Sequence, residues 1–156
     1  MIPQYIIVHC SATEDSGTAS WEAIREFHTE IRGWRDIGYH YGIEEFEDEI
    51  VFLRGRKPWE MGAHCRAAGR NRDSIGVCVV GDYDEEPPSH EKYAVVVAVL
   101  TSMCFIFGIH PDNVRGHCEF EDAKTCPGLA WDLDELRADI KRQIKHHDRL
   151  GDYLVA

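Results

Sequence analysis

Positive charge is scarce: 17 Lys and Arg stand against 28 Asp and Glu in 156 residues, a formal net charge of −11. Nucleic-acid affinity comes largely from cations laid on phosphates, and no basic run here is long enough to supply them. Lys141, Arg142, Lys145, His146 and His147 read as the solvated face of a terminal helix, so no nucleic-acid partner is expected. No membrane span is expected either. Residues 94–109 (AVVVAVLTSMCFIFGI) carry no charge, but they fall short of the roughly 20 residues a spanning helix needs and include Thr101, Ser102 and Gly108. A buried helix is expected there, without membrane insertion.

The six cysteines lack the regular spacing of a disulfide framework, and MIPQYIIVHC has no basic start, apolar core and cleavage site. Synthesis in a reducing cytoplasm is expected, with Cys78 and Cys104 as packed thiols inside apolar runs. Repeats, linkers and low-complexity segments are also lacking. What remains is one domain over residues 1–156, a length that buries about two-thirds of the unfolded surface, and a monomer is expected.

Residues 5–10 (YIIVHC) form a continuous β-branched run, short enough for a central strand buried on both faces, with His9 near its end. Residues 11–19 read as a polar loop. Ser20 is a plausible N-cap for a helix with Trp21, Ile24, Phe27, His28 and Ile31 on one face, stopped by Gly33. Strand character returns in GWRDIGYHYGIEEF, with Tyr39, Tyr41 and Ile43 on one face and His40 and Gly42 on the other. The five acids of residues 44–49 predict an exposed hairpin turn before a strand at 50–53, although no Asn-Gly or Asp-Gly defines it. Residues 55–73 read as a long irregular connection and 74–80 (SIGVCVV) as another buried strand. Ser89 can cap the long helix ending near Gly108, residues 114–117 read as a short strand or a loop entry, and a helix starting at Asp132 or Asp134 turns Leu133, Leu136, Ile140 and Ile144 inward. Strands alternating with helices predict an α/β fold with a mixed central β-sheet flanked by helices.

The chemistry concentrates in GHCEFEDAKTCPG, residues 116–128. His117 and Cys126 suit a borderline-soft cation such as Zn²⁺, and His9 is the first upstream candidate for the third protein ligand a catalytic zinc requires. Lys124 before Cys126, with Pro127 and Gly128 after it, suggests an exposed, electropositive thiol position that favours thiolate. Glu119 reads either as an acceptor behind a metal ligand or as a solvated acid. Cys118 beside His117 raises a different chemistry, direct attack by a thiolate as in papain-like cysteine enzymes, but neighbours on an extended chain point to opposite faces.

Four stretches together, IIVHCSAT (6–13), IREFH with GWRDIGYHY (24–41), GAHC with GRNRDSIGVCVVGD (62–82), and RGHCEF with AKTCPG (115–128), resemble the type 2 N-acetylmuramoyl-L-alanine amidases. That zinc family includes phage endolysins and peptidoglycan recognition proteins, and the likeness to endolysins is strongest. The resemblance implies one zinc held by His9, His117 and Cys126 at the floor of a groove, with catalytic help from Tyr39 and Lys124. It implies cleavage of the amide between N-acetylmuramic acid and L-alanine, with peptidoglycan or muropeptides as partner, by an endolysin acting on the wall after release. A cytoplasmic muropeptide-recycling amidase and a non-catalytic peptidoglycan-binding module are the alternatives. His64 is a candidate to line the groove and contact substrate, its other reading being a surface loop histidine. Two departures from the family pattern stand out: a longer hairpin between Tyr41 and Gly55, and one extra residue between His117 and Cys126.

Overall fold

The computed structural model describes residues 1–13 and 20–154, with side chains through residue 147. Most of the polar loop expected at 11–19 lies outside the described residues. Five strands form one mixed sheet in the order β3-β2-β4-β1-β5. They are β1 (Tyr5–Cys10), β2 (Tyr41–Phe46), β3 (Glu49–Arg54), β4 (Ser74–Val79) and β5 (Val114–Gly116). β1 runs parallel to both β4 and β5, β2 runs parallel to β4, and only β2 and β3 pair antiparallel.

The two central strands are apolar on both faces because both faces are covered. Ile6, Val8, Ile75, Val77 and Val79 pack toward α2 (His90–Phe107) and α3 (Leu133–Leu154), where Leu100, Leu136 and Ile140 are fully buried. Each such side chain stabilises the fold by about 1.5–3 kcal/mol. On the other face Trp21, Ile37 and Cys78 form a smaller cluster that includes α1 (Trp21–Glu26). Ser20 and Ser89 cap as expected, accepting from the Ala23 and Lys92 N–H groups, and of the two candidate starts it is Asp132 that caps α3, accepting from the Asp134 and Glu135 N–H groups. Gly108 takes the left-handed conformation that ends α2.

Several local expectations are corrected. α1 keeps α-helical winding only to Glu26; residues Phe27–Ile31 continue as a π turn, with the Arg32 N–H bonded to the Phe27 carbonyl. The wider winding breaks the three-and-four spacing, so Trp21 is buried while Phe27 and Ile31 point to solvent. The acids at 44–49 are not one exposed turn. β2 continues to Phe46, and only Glu47 and Asp48, with φ of 50° and 64°, make the reversal. Both positive values are what a two-residue hairpin of this twist demands. Glu44 consequently sits on the strand, buried, and accepts from the Trp21 N–H at 3.0 Å.

Tyr39 and Tyr41 do not share a face. β2 begins at Tyr41, and the preceding residues bend, so strand alternation does not extend back to Tyr39. Tyr41 packs with the α2 side, Tyr39 with the Trp21 side. The helix expected at 94–109 is buried only on its sheet-facing side, with Ile106 72% exposed.

Candidate active site

Three separate segments converge beside the carboxyl ends of the parallel strands, the edge at which open α/β sheets present ligand sites. His9, penultimate in β1, pairs in register with Cys78 and is only 1% exposed. His117 follows β5 directly. Its turn is clamped by Glu119, whose Oε2 accepts from the Gly116 N–H at 2.8 Å and whose carboxylate pairs with Arg115 and Arg137. Glu119, open to two readings in the sequence, is thus committed to holding the turn that carries His117. Cys126 comes from the following loop, which is tied back by the Cys118 N–H donating to the Cys126 carbonyl at 2.8 Å.

The ligand atoms of His9, His117 and Cys126 all lie within 4.8 Å of one another. His9 Nδ1 stands 3.6 Å from Cys126 Sγ, close to the edge of about 3.6 Å spanned by nitrogen and sulfur ligands on a tetrahedral zinc. His117 Nε2 is buried without a hydrogen-bond partner. A Glu121 carboxylate oxygen lies 3.3 Å from it and draws a proton toward that nitrogen. Two imidazoles, one of them with an orphaned nitrogen, and a thiol fit a single borderline-soft cation.

The electrostatics favour neutral ligands. Burial, reinforced by the neighbouring imidazoles of His64, His117 and His40, holds His9 well below the ordinary histidine value. Burial also lowers His117, against the opposing pull of Glu121. Both rings therefore keep a lone pair for a metal at neutral pH. Cys126 departs from the exposed, thiolate-favouring position expected of it. The thiol is half-buried against the core, and the adjacent Cys10 thiol together with burial pushes it above its ordinary value. The Cys10 N–H, donating to the sulfur at 3.2 Å, is the local feature that favours thiolate; a divalent cation would supply the rest.

Behind His9 runs a directed hydrogen-bond chain that the sequence did not reveal. Because His9 Nδ1 faces Cys126, its proton belongs on Nε2, which lies 3.0 Å from His64 Nδ1. His64 must then accept there and donate from Nε2 toward Ser74 Oγ, 3.4 Å away. Ser74 Oγ in turn donates to the Arg70 carbonyl at 2.5 Å. A carbonyl can only accept, so the chain has one direction and selects the His9 tautomer with a free Nδ1. The His64 ring sits between two glycines. A Cβ on Gly76 would fall 2.5 Å from its Cγ, and one on Gly62 would fall 2.4 Å from its Cδ2. The available signal was Ser74, one hydroxyl at the head of an otherwise apolar buried strand.

Tyr39 joins the cluster with its ring centroid 5.1 Å from that of His9. Burial and the nearby thiols of Cys78, Cys126 and Cys10 push its hydroxyl well above the ordinary value, so it is a proton donor at neutral pH. Lys124 is exposed on the Cys126 loop, close enough that its charge depresses His117. Of the residues singled out in the sequence, His9, His117, Cys126, Tyr39 and His64 meet in one cluster, and Lys124 stands at its rim.

The Amidase_2 family, described as N-acetylmuramoyl-L-alanine amidase, matches residues 1–129. The endolysin of Escherichia phage T7 is 42% identical over 138 residues, covering 84% of this chain and 87% of that protein. Among solved structures, the amidase LysC from Clostridium intestinale shares the fold, with a TM-score of 0.75 at 24% identity over 90% of this chain and 87% of its own. A variant of Drosophila PGRP-LB, in complex with tracheal cytotoxin, aligns with a TM-score of 0.66 at 29% identity over 82% of this chain and 77% of its own. With its sequence matched across residues 1–129 and its fold shared with solved amidases, the chain belongs to the N-acetylmuramoyl-L-alanine amidase family.

Proposed function

We propose that this amidase uses one zinc ion, held by His9, His117 and Cys126, to cut the bond between the lactyl group of N-acetylmuramic acid and L-alanine, and that it serves as a phage-type endolysin. The observation that carries this reading is the convergence of three ligand atoms within 4.8 Å, one from β1 and two from the segment after β5. Zinc in such a site supplies a Lewis acid that activates water toward an amide carbonyl near neutral pH.

The chain's own groups do the rest. His64 and Ser74 hold the His9 ring in its ligating tautomer. Tyr39 keeps its proton and donates a hydrogen bond to the attacking water or to the scissile carbonyl. Lys124 brings a cation to the oxyanion that develops on that carbonyl. A muropeptide substrate is supported by the tracheal cytotoxin bound to the PGRP-LB relative, and the endolysin role by the likeness to the phage T7 protein. In that role the chain is made in the cytoplasm, acts as a monomer and meets the wall after release.

Digestion of isolated sacculi, read by mass spectrometry together with zinc stoichiometry, tests the proposal. Free stem peptides beginning with L-alanine and one zinc per chain are expected. New reducing sugar ends, or full activity without zinc, would overturn it. A strong preference for soluble anhydro-muropeptide, with sacculi left undigested, would replace the endolysin role with muropeptide recycling.

A further inference from the structure

The face of the sheet opposite His9 carries a feature that catalysis does not use. Residues 94–109 contain no charge, and a helix apolar around its whole circumference is normally enclosed. In α2, however, Ala94, Ala98, Ser102 and Ile106 face solvent. The neighbouring helix α3 behaves differently, burying Leu136 and Ile140 while exposing Lys141 and Arg142.

Alongside α2 the β2–β3 hairpin overhangs the helical layer and leaves a cleft of about 820 Å³, a volume within the usual range for a small-molecule site. Its floor is the stacked pair Tyr41 and Phe52, with centroids 5.1 Å apart, and its wall includes Met103 and Ile106. At the rim Trp59 is 63% exposed, with the Lys57 ammonium 5.9 Å from its ring centroid. Arg54 and Lys57 line the same cleft, and neither forms an ion pair among the described residues. Arg56, by contrast, donates its guanidinium to the carbonyls of Ile37, Met61 and Asp36.

Two uncompensated cations beside an apolar cleft, in a chain of net charge −11, call for an occupant with an apolar body and an anionic head. Tryptophan is enriched at lipid–water interfaces, where lysine lays its apolar stem along the surface and keeps its charge in water. Of the nearby acids, Glu60 is paired with Arg35 and Glu45 with Lys92, and acids more than about 8 Å away are screened at physiological salt. We propose that the cleft seats an acyl chain of an anionic membrane phospholipid, with its phosphate against Arg54 and Lys57 and with Trp59 and Ile106 at the interface. Docking is peripheral and inserts no helix. Because the cleft and the His9 cluster lie on opposite faces of the sheet, a docked enzyme keeps its catalytic side turned away from the bilayer.

Co-sedimentation of the full chain with phosphatidylglycerol or phosphatidylcholine vesicles at physiological salt tests this. Binding to phosphatidylglycerol alone is expected. The double variant Arg54→Glu, Lys57→Glu should weaken it roughly tenfold or more, and Ser102→Trp, which fills the cleft, should do the same. Cleavage of a soluble muropeptide by each variant should match the wild type, which reports folding and separates failure of the docking from failure of the amidase reading. Absence of binding, equal binding to both lipids, or charge-reversed binding at wild-type strength would overturn the proposal. Capture of dodecyl phosphate without any vesicle binding would point to a free amphiphile instead, and a wild-type dimer in sedimentation equilibrium that Ser102→Trp abolishes would make the cleft an interface between copies.

Discussion

Replacing His64 by Leu separates a positioning role from contact with substrate. His9 Nε2 would lose its acceptor at 3.0 Å, and at 1% exposure the ring cannot turn to water instead. A buried donor left unpaired costs about 1–3 kcal/mol. The penalty falls on the ligating tautomer, because the alternative places the proton on Nδ1, facing Cys126, where it opposes a metal. Loss of such a supporting partner weakens metal binding about 10–100-fold, equivalent to about 1.4–2.8 kcal/mol, so the two routes agree. Competition with a chromogenic zinc chelator measures the change, and steady-state kinetics at saturating zinc measures what remains. Zinc affinity should fall in that range while KM for a muropeptide stays near the wild-type value. His64→Gln, which restores an acceptor, should recover part of the loss. Ser74→Ala should act in the same direction but less, since its bond to His64 is 3.4 Å. Wild-type zinc affinity with a raised KM in His64→Leu would refute the relay and return His64 to the substrate-contacting role.

Lys124→Ala should lower kcat by about 10²–10³ without weakening zinc binding, because the ammonium holds no metal and its charge opposes a cation near His117; steady-state rates at saturating zinc that stay within about twofold of wild type would remove it from the mechanism. Burial and the neighbouring Glu119 carboxylate push the Cys118 thiol up, making it a poor nucleophile. Cys118→Ser should therefore keep nearly full activity while Cys126→Ser loses zinc affinity, and the reverse pattern would favour a cysteine amidase. The folded-state pKa values of His9 and His64 lie below the unfolded value of about 6.5. Their contribution to stability is thus complete above that pH and is lost as pH falls toward the folded values. Calorimetry of the metal-free protein should show Tm decreasing on acidification through this window, with zinc affinity falling in parallel as protons compete for the ligands; a Tm that holds or rises would contradict the assignment.

The sequence by itself determined whatever depends on neighbours along the chain. β1 and β4 are legible because an unbroken β-branched run can be buried on both faces only at the centre of a sheet. The caps at Ser20 and Ser89 are legible, and that of the last helix is narrowed to Asp132 or Asp134, because each needs one oxygen within reach of an N–H two or three residues ahead. His9, His117 and Cys126 were identifiable as ligand types, and the four matching stretches joined them into one expected site. Tertiary structure decided which groups meet. His9 and Cys126 are brought to 3.6 Å across 117 positions of sequence, and that approach depends on the register of β1 against β4 and β5. The face of Tyr39 was set by a bend before β2, the exposure of Phe27 and Ile31 by a π turn, and the reversal at Glu47 and Asp48 by positive φ values at residues without glycine's freedom. His64 found its partner because Gly62 and Gly76 leave room for a ring beside His9. The cleft beside α2 exists because the hairpin extends past the helices that cover the rest of that face, an overhang set by how the layers pack, which hydrophobic periodicity along one segment does not encode.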